Sequence, residues 1–169
     1  MKKINIRDIP EDSWISPKGK FAAFGKSVSI ALGRSETPTG LLATTSPSGG
    51  GQDRHPFDLE ILRVAPGQTP YVYHSHSAQW ELYHVISGKG SVRHQDGTTA
   101  IEAGDAFLFK PGEPHQLTNN GDVDLVVFVI ADNPIGESSY YPDSNKWIVR
   151  SPERRIMRSD PLDYFDGEE

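Results

Sequence analysis

Pro70-Tyr71-Val72-Tyr73-His74-Ser75-His76 runs on through Ser77-Ala78-Gln79 into Trp80-Glu81-Leu82-Tyr83-His84-Val85-Ile86, and the pair of runs stops at Ser87-Gly88-Lys89-Gly90. Successive side chains of an extended strand leave opposite faces, so residues two apart share a face. His74 and His76 therefore point the same way from the first strand. Glu81 and Tyr83 share a face of the second, while Trp80, Leu82 and His84 take the other. Two imidazoles and a carboxylate on adjacent strands already hint at a site.

Outward from this stretch the same grammar repeats. Upstream, Phe57, Leu59 and Ile61 alternate with Asp58 and Glu60, and Pro66-Gly67 ends the run. Downstream, Ser91-Val92-Arg93-His94 reaches Gln95-Asp96-Gly97-Thr98, whose Asp-Gly pair signals a tight hairpin. Strands follow at 99–101, 106–109, 115–119 and 123–130, separated by Gly104, Lys110-Pro111-Gly112 and Asn120-Gly121-Asp122. Seven or eight short strands at this spacing predict an all-β antiparallel sandwich or barrel over 57–133. Leu125-Val126-Val127-Phe128-Val129-Ile130 is apolar at every position, which predicts cover on both faces.

The flanks read differently. Residues 1–56 form an N-terminal extension with one alternating run, Lys26-Ser27-Val28-Ser29-Ile30-Ala31-Leu32, expected to be a strand. A Gly-, Ser- and Pro-rich loop over 33–56 follows, either a lid or merely mobile. Residues 134–169 are a polar, irregular C-terminal extension with one further strand expected around Trp147-Ile148-Val149.

His115 opens a later strand, and its imidazole joins those of His74 and His76 and the Glu81 carboxylate inside the expected barrel. Three neutral imidazoles and one carboxylate make a site for a divalent transition metal ion, Mn, Fe, Co, Ni, Cu or Zn. Six histidines would give about 0.2 His-x-His pairs by chance, so the pair alone is weak evidence. The rest of the pattern carries the weight. Gly67, His74, His76, Glu81 and Gly88 occur in order, then Gly104, Pro111, Gly112, His115 and Asn119.

In that order the sequence resembles the cupins. Their first motif is a Gly, His-x-His, a Glu three or four residues on and a Gly six residues beyond. Their second is a Gly, five residues, Pro-x-Gly, two residues, His, three residues and Asn. The match runs from Gly67 to Asn119, with two departures. Gly67 lies one residue further from His74 than usual, and Lys110 occupies the first proline position, with Pro111 at the variable one. Neither touches a ligand. The resemblance implies an antiparallel double-stranded β-helix, the jelly-roll barrel, with metal held by His74, His76, Glu81 and His115. The single barrel with Tyr140-Tyr141-Pro142-Asp143-Ser144 behind it is similar to bacterial monocupins labelled as sugar-phosphate isomerase-like.

Cupins host isomerases, dioxygenases and pure binding modules, so fold does not settle function. The first expectation is a small metal-dependent enzyme, isomerase-like or dioxygenase-type, acting on a small polar metabolite. The alternative is a non-catalytic ligand-binding or sensor barrel. Glu81 and Tyr83 are the candidate catalytic residues, Tyr83 either as barrel wall or as a hydroxyl that handles substrate or proton. Arg63 shares the parity of Phe57, Leu59 and Ile61, and is a candidate to bind a substrate carboxylate or phosphate at the barrel mouth, with a surface salt bridge as the other fate. His84 faces away from the metal, and Phe107 and Phe109 read as core.

Composition removes other classes. The formal charge is −6 and no basic block occurs, so nucleic acid is not an expected partner. There is no cysteine, hence no disulfide, thiolate metal site or Cys nucleophile. No apolar run approaches a membrane span and charges break up the N-terminal residues, which predicts a cytoplasmic protein. The doubly apolar 125–130 strand, with Trp80 and Leu82 turned outward, predicts a homodimer.

Overall fold

The computed structural model describes residues 1–33, 56–149, 154–158 and 160–168. The expected 33–56 loop therefore lies almost wholly outside the described residues, as does His55. The strands are β1 (Asp12–Ile15), β2 (Ala22–Ser27), β3 (Phe57–Val64), β4 (Ser75–His76), β5 (Glu81–Ser87), β6 (Lys89–His94) and β7 (Gly97–Glu102). They continue as β8 (Ala106–Phe109), β9 (His115–Thr118), β10 (Leu125–Asp132), β11 (Ser138–Tyr141), β12 (Lys146–Val149) and β13 (Arg155–Met157). One helical turn, α1 (Val28–Ala31), interrupts them. The protein is an all-β antiparallel double-stranded β-helix.

One layer is a six-stranded sheet in the order β1-β2-β3-β10-β5-β8. The other is built from β13-β12-β11-β4 and β7-β6-β9, joined by a bridge between His74 and His115. That bridge is a pair of backbone hydrogen bonds, His74 N to His115 O at 3.2 Å and His115 N to His74 O at 2.8 Å. The segments carrying His74 and His115 are thus locked in register by the backbones of these two histidines.

The inner face of the large sheet carries a polarity gradient along the barrel. Val64–Leu125 and Leu62–Val127–Val85 form the apolar end, all five strand positions being buried. The next row is Glu60–Val129–Tyr83–Phe107, and beyond it stands Ala131–Glu81–Phe109. From the facing layer Val92, Ile101 and Leu117 complete the core. Burying such aliphatic side chains stabilises the fold by about 1.5–3 kcal/mol each. The polar end holds the chemistry. At the turn after β5, Gly88 has φ +83°, and an alanine Cβ there would strike the Asp124 carbonyl, so only glycine lets β5 and β6 pass so close to β10.

Strand β10 alternates buried and half-buried residues from Leu125 to Asp132, so both faces are covered, the outer one incompletely. Both flanks add strands to the barrel. The N-terminal β1 and β2 extend the large sheet through β3, and β11 pairs with β4 beside the histidines. The expected strand over 26–32 is corrected: β2 ends at Ser27 and the chain turns into α1. Ser27 Oγ caps that turn by accepting from Ile30 N at 3.4 Å, and buried Ser29 accepts Leu59 N at 2.7 Å. Two serine side chains that satisfy backbone donors override the alternation of Val28, Ile30 and Leu32.

Candidate metal centre

His74, His76, Glu81 and His115 come together at the polar end of the barrel. One potential ligand atom from each lies within 4.8 Å of all the others. His76 belongs to β4, Glu81 opens β5 and His115 opens β9. The His74 and His115 rings are 4.7 Å apart and those of His74 and His76 5.0 Å. Phe109 stacks flat on His115 at 4.0 Å and so fixes that ring's plane.

Each imidazole is aimed by its outer nitrogen. His74 Nδ1 donates to the Val72 carbonyl at 2.8 Å, and His115 Nδ1 to the Glu113 carbonyl at 3.1 Å. His76 Nδ1 donates to Glu137 Oε1 at 2.9 Å. These acceptors can only receive, so all three rings carry a hydrogen on Nδ1 and turn Nε2 inward. The Nε2 of His115 then stands 2.9 Å from Glu81 Oε2, and that of His76 stands 3.5 Å from Glu81 Oε1. Each contact needs positive charge between nitrogen and oxygen, either a second ring proton or a metal ion. Three imidazole nitrogens and one carboxylate oxygen could hold a divalent ion here, and anchored outer nitrogens are what metal-binding histidines display.

The electrostatics agree. Burial, reinforced by His115 and His76, drives the His74 imidazolium down to about 3, so this ring stays neutral and ligand-ready. Burial opposes ionisation of Glu81, but His76, the His115 hydrogen bond and His74 outweigh it and hold the carboxyl well below the usual range. The Tyr83 hydroxyl donates to Glu81 Oε2 at 3.0 Å. Tyr83 is 4% exposed and stacks on Phe107 at 5.3 Å, beneath the ligand row.

Two acidic residues of the site escaped the sequence pattern. Glu137, 5% exposed, holds His76 and also accepts the amides of Ala78 and Gln79, each at 2.9 Å. Burial works against its charge, yet these bonds keep its carboxyl below the ordinary value. Glu60 faces inward with Leu62 and Val64, and the even parity of that pair was the signal available in the sequence. Of the two fates expected for Arg63, the structure shows the surface salt bridge and not the barrel mouth, for the same reason. Arg63 leaves the outer face, where it binds Glu11 at 2.6 Å and Asp124 at 2.9 Å and lies 3.9 Å over the Phe24 ring. A guanidinium so occupied outside the barrel does not reach its mouth. His84 is exposed on the opposite face from Glu81, as expected, and Phe107 and Phe109 pack against the core.

Residues 60–131 match the cupin domain family. Over 64 residues, 38% of this chain, the sequence is 30% identical to the oxalate-binding protein of Thermotoga maritima, covering 52% of that protein. The chain spans about half the length of the curated relatives it matches. Among solved structures, a protein of Acidithiobacillus ferrooxidans provisionally designated a sugar phosphate isomerase superposes with a TM-score of 0.74 at 21% identity, covering 94% of this chain and 92% of that one. A sugar phosphate isomerase of Silicibacter pomeroyi from the cupin superfamily gives 0.72 at 19% identity, covering 96% and 98%. At such identities the likeness is one of fold. No helix among the described residues is long and apolar enough to cross a membrane. The double-stranded β-helix, the converging group of His74, His76, Glu81 and His115, and the match of residues 60–131 to the cupin domain family agree with one another.

Proposed function

We propose that this protein is a metal-dependent enzyme that isomerises a small hydroxy-carbonyl metabolite, with sugar phosphates as the first class to test. The observation that carries the reading is the set of three Nδ1-anchored imidazoles converging with Glu81 at the polar end of the barrel. His74, His76, Glu81 and His115 would hold one divalent transition ion. When bound, such an ion supplies Lewis-acid polarisation of a carbonyl or alkoxide oxygen. Around it, Tyr83 fixes the Glu81 carboxylate, and the Phe107–Phe109 pair closes the floor against water. Tyr71 stands edge-on to His74 at 6.4 Å, and its hydroxyl donates to Glu60. The fold shared with the Silicibacter pomeroyi protein supports the choice of substrate class.

The test is reconstitution. Chelated protein is reloaded with Mn, Fe, Co, Ni, Cu or Zn and incubated with a panel of aldose phosphates, and aldose–ketose conversion is followed by NMR. Conversion by at least one ion supports the reading; none with any ion sinks it.

A second reading has its own support. The similarity to an oxalate-binding protein favours a barrel that holds a small dicarboxylate without turning it over. Calorimetry with oxalate on metal-loaded protein separates the two: tight binding with no sugar-phosphate turnover selects the binding module.

The outer sheet face supports a homodimer in either case. Trp80, Leu82 and Ile86 around β5 and Leu108 on β8 are each 37–47% exposed, next to half-buried Phe128 and Ile130 on β10. A contiguous apolar face of this kind is what a two-fold interface buries. Light scattering that shows a monomer at micromolar concentration would rule it out.

A further inference from the structure

Glu60 is a carboxylate that neither the ligand motif nor the hydrophobic core accounts for. It stands on the inner face of β3, in one row with Val129, Tyr83 and Phe107, beside the row that carries Glu81. One strand, β10, separates it from Tyr83, which puts the two backbones about 10 Å apart, near enough for the two groups to interact electrostatically. The N-terminal strands build its seat. Gly25 on β2 leaves a notch that Glu60 Oε1 fills; an alanine Cβ there would collide with that oxygen and meet the Trp14 ring at 3.1 Å. Gly25 has no left-handed backbone requirement, so the missing Cβ is what matters. The Tyr71 hydroxyl donates to Glu60 Oε2 at 3.4 Å. The Tyr71 ring stacks on Trp14 at 5.5 Å, and Trp14 is itself pinned by its Nε1–H on the Pro70 carbonyl at 3.1 Å. Tyr71 therefore bridges Glu60 and the His74 edge of the metal ring.

We infer that Glu60, with Tyr71 as its hydrogen-bond partner, is the catalytic proton carrier of this site. The inference rests on the isomerase reading above. Glu60 takes the proton from the hydroxyl-bearing carbon next to the substrate carbonyl. The C–H electron pair becomes a carbon–carbon double bond while the carbonyl pair moves onto its oxygen. The hydroxyl proton passes to that oxygen, the second oxygen forms the new carbonyl, and Glu60 returns its proton to the former carbonyl carbon. Substrate and product have the same atoms and electrons, so no co-reactant is needed.

The surroundings suit that task. Burial raises the Glu60 carboxyl to about 7, the Tyr71 hydrogen bond opposing this and the acidic Glu81, Asp58 and Asp12 adding to it. Those groups sit on β5, on Glu60's own strand and on β1, and Tyr83 faces it from β5. A carboxyl near neutrality can both accept and release a proton at working pH. Glu81 cannot share the role, because its charge is committed to the imidazoles and to Tyr83.

The experiment uses metal-loaded protein and compares Glu60→Gln and Gly25→Ala with wild type. Both variants should keep wild-type metal content, since neither residue is a ligand. In Zn²⁺-loaded protein with ¹³C-labelled glutamate, the carboxyl resonance that Glu60→Gln removes should titrate above 4.5, the ordinary value. On an aldose phosphate that wild type converts, Glu60→Gln should lower kcat by about 10²–10⁴-fold and abolish the acid limb of the pH profile. Gly25→Ala should act in the same direction by displacing the carboxylate. A Glu60 resonance titrating at or below 4.5, or active wild type with an equally active Glu60→Gln, overturns the inference alone. Wild type inert towards every aldose phosphate removes the isomerase reading and the inference with it.

Discussion

Glu60→Gln should change stability in a pH-dependent way that can be read without any substrate. The folded protein raises this carboxyl from 4.5 to about 7, mainly by burial. A carboxyl whose folded value is raised binds its proton more tightly in the folded state. Its stabilising effect is whole below the unfolded value of 4.5 and is lost as pH climbs through about 7. A shift of this size corresponds to about 3 kcal/mol in full, of which about 2–3 kcal/mol falls between pH near 5 and pH near 8. Glutamine matches the neutral acid in shape and has no such loss. The two proteins should therefore be of similar stability near pH 5, and Glu60→Gln the more stable near pH 8 by roughly 5–10 °C in Tm. Urea unfolding of chelated protein at both pH values supplies the double difference, in which every other titrating group cancels. Stability curves that run parallel from pH 5 to pH 8 would refute the reasoning, as would a wild type that gains on the variant with rising pH.

Glu137→Gln removes the charge and leaves one acceptor oxygen, so it can keep the His76 bond only by losing those from the Ala78 and Gln79 amides; metal affinity should fall about 10–100-fold by competition with a chromophoric chelator, and an unchanged affinity would reduce Glu137 to a loop anchor. Tyr83→Phe deletes the bond to Glu81 and keeps the Phe107 stack, so it should retain its metal and lose about 1 kcal/mol of stability in denaturant titration. A turnover loss beyond about 10²-fold in that variant would give Tyr83 a direct part in proton transfer. Asn119→Ala removes a fully buried amide that donates to the carbonyls of Val64 and Val123 and accepts Gly121 N, so melting should show a loss of about 2–3 kcal/mol with the metal site unaltered.

The convergence of His74, His76, Glu81 and His115 was legible because strand parity and turn punctuation are local. His74 and His76 had to share a face, Glu81 followed a short connection, and a β-rich chain offered few other ways to bury them. The surface salt bridge of Arg63 and the inward turn of Glu60 have one cause. The alternation of Phe57, Leu59 and Ile61 marked the odd face as inner, whereas burial of Leu62 and Val64 against Val127 and Leu125 sets the even face inward. Both faces of β3 are apolar at one end, so only the partner strands decide which is core. Glu137 lies 61 residues beyond His76 in a polar stretch, and nothing local connects the two; β11 pairing on β4 does. Val28, Ile30 and Leu32 alternate like a strand, but the capping hydroxyl of Ser27 and buried Ser29 make a helical turn cheaper than further pairing.

The most direct measurement is the metal content and thermal stability of wild type, His76→Ala and His84→Ala after the same reconstitution with a divalent transition ion and removal of excess. His76 lies within the converging group, while His84 is exposed on the opposite face of β5. Wild type and His84→Ala should each hold one ion per chain and gain thermal stability from it by mass action. His76→Ala should lose most of the ion and most of that gain. Equal metal content in His76→Ala and His84→Ala would contradict a centre built from His74, His76, Glu81 and His115.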